Sequence, residues 1–267
     1  KERQIALQEK EIYKLKNVEL AEANSRLLKL NEEKNEFIGI AAHDLKNPLS
    51  GILVYSKKLR TRIDKYSKEQ IIEIASQMEI ASEKMFKLIA KFLDINLIES
   101  GKQNINSDKF NAADLLKQTL ALNINHAKTK NIAIELICED EMEMISDKDS
   151  LGQILDNLIS NAVKFTYPDK NILIKALFAG ENIRFEVIDE GPGLTESDKE
   201  RLFERFARLS ATPTGNEIST GLGLSIAHKL TLMLGGKLWC ESEAGKGATF
   251  IVEIPAAAEP RTEEIPA

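Results

Sequence analysis

The stretch "NLISNAVKF", residues 157–165, decides how the second half of this chain is read. Asn157, Asn161 and Lys164 stand four and three residues apart, so on a helix they share one face. Asparagine is a poor helix former, yet two of them occupy one face here, flanked by Leu155, Leu158, Ile159 and Val163. A solvated outer face would carry such polarity without any ligand. A ligand-holding face would use it differently: an amide oxygen can coordinate Mg²⁺, and a lysine one turn on can meet a phosphate.

Three glycine pairs lie downstream. "DEGPGL", Asp189–Leu194, follows a strand-like run, and "TGLGLS", Thr220–Ser225, opens a helix-like one. "GKGATF", Gly245–Phe250, lies between two strand-like runs. Glycine lets backbone N–H groups approach an anion closely, and a helix N-terminus favours negative charge. Any one such pair is a tight turn by default. Three of them after a polar helix face form an ordered set.

The chain has 267 residues, 43% of them apolar and 29% charged, with a formal net charge of −6. That is room for a real core and one or two domains. A net negative charge argues against nucleic acid as a partner. No apolar run reaches the roughly 18 residues needed to cross a bilayer. Cys138 and Cys240 are far apart in sequence and lack metal-ligand spacing. They read as reduced core thiols of a cytoplasmic protein. The opening residues, "KERQIALQEKEIYK", hold no signal peptide and start in mid-helix without methionine. The expectation is a fragment whose upstream partner domain is missing and whose full-length parent could be membrane-anchored.

Residues 1–36 lack Gly and Pro and carry Ile5, Ile12 and Leu15, then Leu20, Leu27 and Leu30. This is a heptad-like stripe with a phase break, which predicts a coiled coil with a stutter. The helix is expected to run on through Phe37, Ile40, Ala41, Ile52 and Leu59 to about Ile63, with a polar turn at Asp64–Lys68 and Ser67 as the next cap. A second helix carries Ile71, Ile74, Ala75, Met78, Met85, Ile89, Phe92 and Leu93 and stops near Gly101. Each helix has more apolar face than one hairpin can bury, which predicts dimerisation into a four-helix bundle. After Gly101 the pattern becomes helix, two short strands, helix, a strand hairpin, a mostly polar segment (Thr195–Thr220), helix and two strands. That predicts an α+β sandwich with helices on one mixed sheet.

Within the first long helix sits "FIGIAAHDLKNPLSGI", Phe37–Ile52. It places His43 beside Asp44, then Asn47 and Pro48. Proline inside a helix costs about 3 kcal/mol and leaves the carbonyl four residues earlier without its donor. The residue before proline is also pushed from helical geometry. The expected use of that cost is a loosened helix just past the histidine.

The order NxxxNAxKF, DxGxG, LFxRF, GxGLS, GxGxTF resembles the catalytic ATP-binding domain of sensor histidine kinases, over about Phe110–Pro255. The Phe37–Ile52 stretch resembles the histidine-bearing box of their dimerisation and phosphotransfer domain. It departs mildly from the more familiar S-H-E-L-R-T-P-L, with Ala42, Asp44, Lys46 and Asn47 as the changes. The resemblance implies a Bergerat ATP-binding fold, with ATP and Mg²⁺ bound. Asn161 would be the metal ligand, Asn157 its support, and Lys164 a phosphate contact. Asp189 would accept a hydrogen bond from the adenine amino group. Gly191 and Gly193 would shape the pocket, and Gly221, Gly223 and Leu224 would lie against the phosphates. Thr195–Thr220 would form a lid anchored by Phe203 and Phe206, with Arg208 as a further candidate phosphate contact. His43 would accept the phosphoryl group with Asp44 as base, and Asn47 would serve dephosphorylation. The family's gyrase-type members carry a glutamate base where this chain has Asn157, so the pocket is expected to hold ATP for transfer rather than for hydrolysis by water.

The implied organisation is a coiled-coil helix at 1–36, a dimerisation and phosphotransfer domain at 37–102, an ATP-binding domain at 103–256 and a disordered tail at 257–267. The implied partners are a response-regulator receiver domain and a second copy of this chain. The rival readings are a Bergerat-fold ATPase doing mechanical work, which Asn157 and the histidine box oppose, and a nucleotide-binding dimer scaffold without kinase activity. His126 and His228 are expected to be surface or packing residues.

Overall fold

A computed structural model describes residues 2–99, 105–204, 207, 209–215 and 221–257. The chain divides into two units, residues 1–90 and 91–267. Gly101, Phe206, Arg208, Thr220 and the tail beyond 257 lie outside the described residues.

In the first unit α1 runs from Glu2 to Arg62 with Pro48 inside it. The helix continues through Pro48 without interruption, so the missing donor there is tolerated without ending the helix. A single 3₁₀ turn, Ile63–Lys65, follows. Next, α2 spans Lys68–Glu99. Ser67 caps it as expected: its hydroxyl accepts from Gln70 N, and Gln70 Oε1 accepts from Ser67 N at 3.0 Å. This is the reciprocal capping box, and Gln70 supplies the half that the sequence expectation lacks. The less exposed apolar residues of α2 form one stripe, Ile71, Ile74, Met78, Ala81, Met85 and Leu88. Their spacing of three and four is the seam pattern of a helix that packs along its length.

The second unit begins in the last turns of α2, where Ile98 is buried and Phe92 packs on the core. It continues β1 (Asp108–Asn111), α3 (Ala112–Thr129), β2 (Ala133–Cys138), β3 (Glu143–Ser146) and α4 (Lys148–Phe165). Then come β4 (Asn171–Ala179), β5 (Asn182–Asp189), α5 (Glu196–Arg201), α6 (Gly223–Met233), β6 (Lys237–Ser242) and β7 (Ala248–Pro255). The main sheet has the order β2-β4-β5-β7-β6, with β2 and β4 parallel and the other pairs antiparallel. The strand β1 departs from the sequence expectation; it pairs with β3 in a separate two-stranded sheet, so the β structure is not one sheet. The short helix α5 is a second departure, inside the segment expected to be polar lid. Its capping box is complete, Thr195 with Asp198.

Period-two alternation fills the core. On β5, Ile183, Phe185, Val187 and Asp189 are buried while Arg184 and Glu186 are not. The outer positions pair with neighbours: Arg184 Nε donates to Glu253 at 2.6 Å, and Lys175 lies 3.6 Å from Glu186. On α4, Leu151, Ile154, Leu155, Leu158 and Ile159 are fully buried. That helix starts at Asp147, whose carboxylate accepts from Ser150 N at 2.7 Å. Cys138 and Cys240 are free thiols, half-buried against the core.

Candidate functional site

Asp189 stands where a core residue is due. As the last residue of β5 it falls on the inward side of the alternation, and only 6% of it is exposed. Its Oδ1 accepts from Gly191 N at 2.9 Å and from Ala248 N at 3.2 Å. Its Oδ2 takes no hydrogen bond from the described residues. Burial pushes the carboxyl up to about 6, against the two N–H groups, which favour the charged form. A buried carboxylate with a raised pKa at the end of a strand is costly in a core and useful in a binding pocket.

A pocket opens there, lined by Asn161 and Phe165 of α4, Asp189, Pro192, Gly193, Leu194, Leu224 of α6, and Ala248 and Phe250 of β7. Leu202, Leu209 and Ala211 close another side. The lining is apolar except for Asp189 and Asn161, the pattern of a site that buries a flat apolar group and orients it with few polar atoms. The structure thus brings Asn161, Asp189, Gly193 and Leu224 together. Asn157 and Gly223 adjoin them: a Cβ on Gly223 would lie 2.8 Å from Asn157 Oδ1 and 3.9 Å from Asn161 Nδ2. Asn157 is itself buried and donates to Gln153 O at 2.9 Å. Asn161 makes no side-chain hydrogen bond with the described residues and borders the pocket. Gly223 begins α6, whose N-terminus has no side-chain cap. Its first N–H groups are therefore available to an anion.

Gly191 is excluded from bearing a side chain, since a Cβ would lie 2.8 Å from both Asp189 Oδ1 and Phe165 O. Gly193 and Gly221 have positive φ, 67° and 68°. Lys164 sits in the last turn of α4, and its carbonyl accepts from Lys130 Nζ at 2.9 Å and from Thr214 N at 3.2 Å. It is not among the pocket-lining residues. Asp156, next to Asn157, accepts from Asn123 of α3 at 2.9 Å. It fastens two helices and offers the pocket no base.

The segment after α5 is tied down at named points. Asp198 is buried and accepts from Thr195 and from both N and Oγ of Ser210, the Ser210 bonds at 2.8 and 2.6 Å. Burial alone would raise its carboxyl; the hydrogen bonds outweigh it and hold the group well below the usual carboxylate range. Thr214 Oγ1 donates to Thr166 O at 2.7 Å and accepts from Lys130 Nζ at 2.6 Å. Phe203 stacks on His228 of α6 with ring centroids 4.6 Å apart, and burial lowers the His228 pKa. His228 is a packing residue, as expected. Leu209 and Ala211 line the pocket but carry no motif signal, being apolar residues among many, whereas Phe165, Ala248 and Phe250 lie within "NLISNAVKF" and "GKGATF". Lys130 and Ser242 carry none for a related reason: a single polar residue has no period.

In the first unit His43 has 66% of its side chain exposed, and Asp44 only 16%. The ring Nδ1 lies 3.1 Å from Asp44 Oδ1. A carboxylate only accepts, so the contact suits the tautomer with its proton on Nδ1, in which Nε2 keeps its lone pair. Asn47 is exposed, one turn beyond His43.

The family described as "Histidine kinase-, DNA gyrase B-, and HSP90-like ATPase" matches residues 146–258, and "His Kinase A (phospho-acceptor) domain" matches residues 33–101. Sensor histidine kinase GacS of Pseudomonas protegens is 30% identical over 251 residues, which are 91% of this chain and 27% of that protein. Autoinducer 2 sensor kinase/phosphatase LuxQ of Vibrio parahaemolyticus is 33% identical over 251 residues, 88% of this chain and 28% of LuxQ. The chain therefore spans under a third of the length of these curated relatives. Among solved structures, full-length ShkA in complex with AMPPNP is 28% identical, with a TM-score of 0.62, covering 82% of this chain and 45% of ShkA.

Proposed function

This chain belongs to the sensor histidine kinases, as a phospho-acceptor domain followed by a Bergerat-fold ATPase domain, and from that premise we propose that it phosphorylates itself on His43 from ATP. One observation carries the proposal. The 3.1 Å contact of His43 Nδ1 with Asp44 leaves Nε2 as an exposed nucleophile. Nε2 would attack the γ-phosphorus, forming the P–N bond as the bond to the β-phosphate oxygen breaks and ADP leaves. The imidazolium charge that develops is met by Asp44, which holds or takes the Nδ1 proton.

On the nucleotide side, the reading is supported by the pocket around Asp189 and the uncapped start of α6. The adenine ring would lie among Phe165, Leu194 and Leu224, with its amino group on Asp189 Oδ2. Phosphates would meet Gly221 and the start of α6 at Gly223, with Lys164 as a further cation. Asn161, whose amide has no hydrogen-bond partner among the described residues, and Asn157 Oδ1 beside Gly223 suit a hard cation such as Mg²⁺. When bound, that ion supplies charge neutralisation at the phosphates. Asn157 cannot act as a base and Asp156 is engaged elsewhere, which fits transfer to His43 rather than to water.

The phosphohistidine would pass its phosphoryl group to an aspartate of a response regulator. Asn47, one turn from His43, is suited to orient a water for the reverse duty, dephosphorylation of that regulator. LuxQ is named a kinase/phosphatase, which supports that second activity. The working unit would be a homodimer in which the bundle is completed by a second copy, in the cytoplasm, with input arriving through the coiled-coil helix at 1–36. No described helix is long and apolar enough to cross a membrane.

The test is incubation with Mg-ATP followed by intact mass. One phosphate per subunit is expected, labile in acid and stable in alkali, and absent from His43→Ala. An acid-stable label, or one that survives His43→Ala, would overturn the assignment.

A further inference from the structure

Three strand ends stand in one row at the pocket edge of the main sheet. Asp189 ends β5 and pairs with Ala248, which begins β7; Ala248 pairs in turn with Ser242, which ends β6. Two loops leave this row, 190–194 and 243–247, and they press closely on each other. A Cβ on Gly193 would overlap the Glu243 carbonyl, and one on Gly247 would overlap the Asp189 carbonyl. Gly245 N donates to Pro192 O at 2.6 Å. Ser242 joins both loops through its side chain. Its hydroxyl donates to Gly247 O at 2.6 Å and accepts from Leu194 N at 2.9 Å.

The consequence runs to Asp189. Its Oδ1 rests on two N–H groups, one from each loop side: Gly191 N and Ala248 N. Ala248 directly follows Gly247, whose φ of 82° fits few residues besides glycine. Ser242 holds the Gly247 carbonyl, so it fixes the peptide that delivers the Ala248 N–H. It also holds Leu194 N, at the end of the loop in which Gly191 lies.

We propose that Ser242 is a positioning residue for recognition of the nucleotide base. Its hydroxyl clamps the two loops so that Asp189 keeps Oδ1 on protein donors and reserves Oδ2 for the exocyclic amino group of adenine. This rests on the reading of the pocket as an adenine site. It assigns Ser242 no contact with the nucleotide.

The experiment measures affinity of the full chain for ATP and for inosine triphosphate, each with Mg²⁺. The second has a carbonyl where adenine has the amino group, so the ratio of affinities reports the Asp189 contact. Asp189→Asn should collapse the preference for ATP. Ser242→Ala should lower ATP affinity about tenfold, the worth of one hydrogen bond, with inosine triphosphate affinity little changed. Ser242→Thr, which keeps the hydroxyl, should restore the preference. The Asp189→Asn/Ser242→Ala double variant should lose no more preference than Asp189→Asn alone. Equal loss for both nucleotides in Ser242→Ala would make the residue merely structural and overturn the proposal, and so would an unchanged preference. If Ser242→Ala does not fold, Ser242→Cys decides: as a weaker hydrogen bonder it should show an intermediate preference, and one equal to that of Ser242→Thr overturns the proposal. A preference untouched by Asp189→Asn would instead remove the adenine reading itself, a different failure from that of Ser242.

Discussion

In α4 the side chains of Leu151, Ile154, Leu155, Leu158 and Ile159 are entirely buried, whereas the helices of the first unit leave Leu49, Leu53, Val54, Ile72, Ile80 and Phe86 exposed, Phe86 at 74%. Both regions are made of amphipathic helix. The difference is what each has to pack on. The second unit supplies its own sheet, so its apolar faces close within one chain. The described part of the first unit supplies only two helices, and exposed apolar residues in that number mark an interaction face. The chemistry divides in the same way. The pocket carboxylate of the second unit is buried and its ionisation displaced, while His43 in the first unit is open to solvent. On the proposed reading, one region holds the nucleotide and the other presents the nucleophile.

If that division holds, damage to one region should spare the other's duty. The largest effect is expected from Asp44→Asn, which replaces the carboxylate facing His43 Nδ1 with a neutral, non-basic amide. Loss of a general base costs on the order of 10²–10⁴ in rate. Autophosphorylation, followed by acid-labile label, should fall by that much while ATP affinity is unchanged. The neighbouring Asn47→Ala should keep most of the autophosphorylation rate and slow dephosphorylation of a regulator. A parallel loss of nucleotide affinity in Asp44→Asn would break the division.

The next effect concerns packing. Leu158→Ala should cost about 2–5 kcal/mol, as truncation of a closed core does. Its denaturant midpoint should be lowered by the same amount at every protein concentration. Phe86→Ala should act differently, by weakening self-association: the midpoint falls mainly in dilute protein, and sedimentation shows the dissociation constant raised. An association unchanged by Phe86→Ala would show that the exposed stripe near it is not where a second copy packs.

Much of this division is legible as periodicity. The alternation of "NIRFEVID" by itself puts Asp189 on the core side, because strand side chains alternate strictly. The spacing of Asn157 and Asn161 likewise puts both on one helix face, and both border the Gly223 corner of the pocket. What periodicity does not carry is contact between distant segments. The strand β1 is four residues long and exists through its pairing with β3. The grip of Lys130 on the last carbonyls of α4 joins residues 33 and 34 positions apart. Ser242 meets Leu194 across 48 positions. No local pattern encodes such bonds. Pro48 is legible in another way. Its local chemistry predicts a loosened α1 at the missing donor, and α1 continues as helix on both sides of it; one lost bond can loosen a long helix without ending it.

The smallest expected effect comes from the buried carboxylate, and it has two signs. Asp189 titrates in the folded chain at about 6, raised from an ordinary 3.8 chiefly by burial. A raised folded-state pKa favours folding below the unfolded value, and that contribution is lost as pH rises through about 6. Stability of the nucleotide-free domain should therefore decline between about pH 4 and 6 on account of this group. Nucleotide binding should run the other way. An amino group donating to Oδ2 needs the ionised carboxylate, so affinity should strengthen as pH rises through about 6 and weaken below it. At about pH 5 the ionised fraction is about a tenth, which predicts about a tenfold loss of ATP affinity relative to about pH 7. Phosphate groups of the nucleotide titrate in the same range, so the comparison is with Asp189→Asn, which has no carboxyl to protonate. The difference between the two profiles isolates the residue. Wild type should lose about tenfold more affinity than Asp189→Asn between about pH 7 and 5, and inosine triphosphate should show no such excess. Identical profiles for the two proteins would mean that the carboxylate is buried for the fold and never meets the base. The pocket would then be as closed to charge as the core beside it, and the contrast with the open histidine would rest on exposure alone.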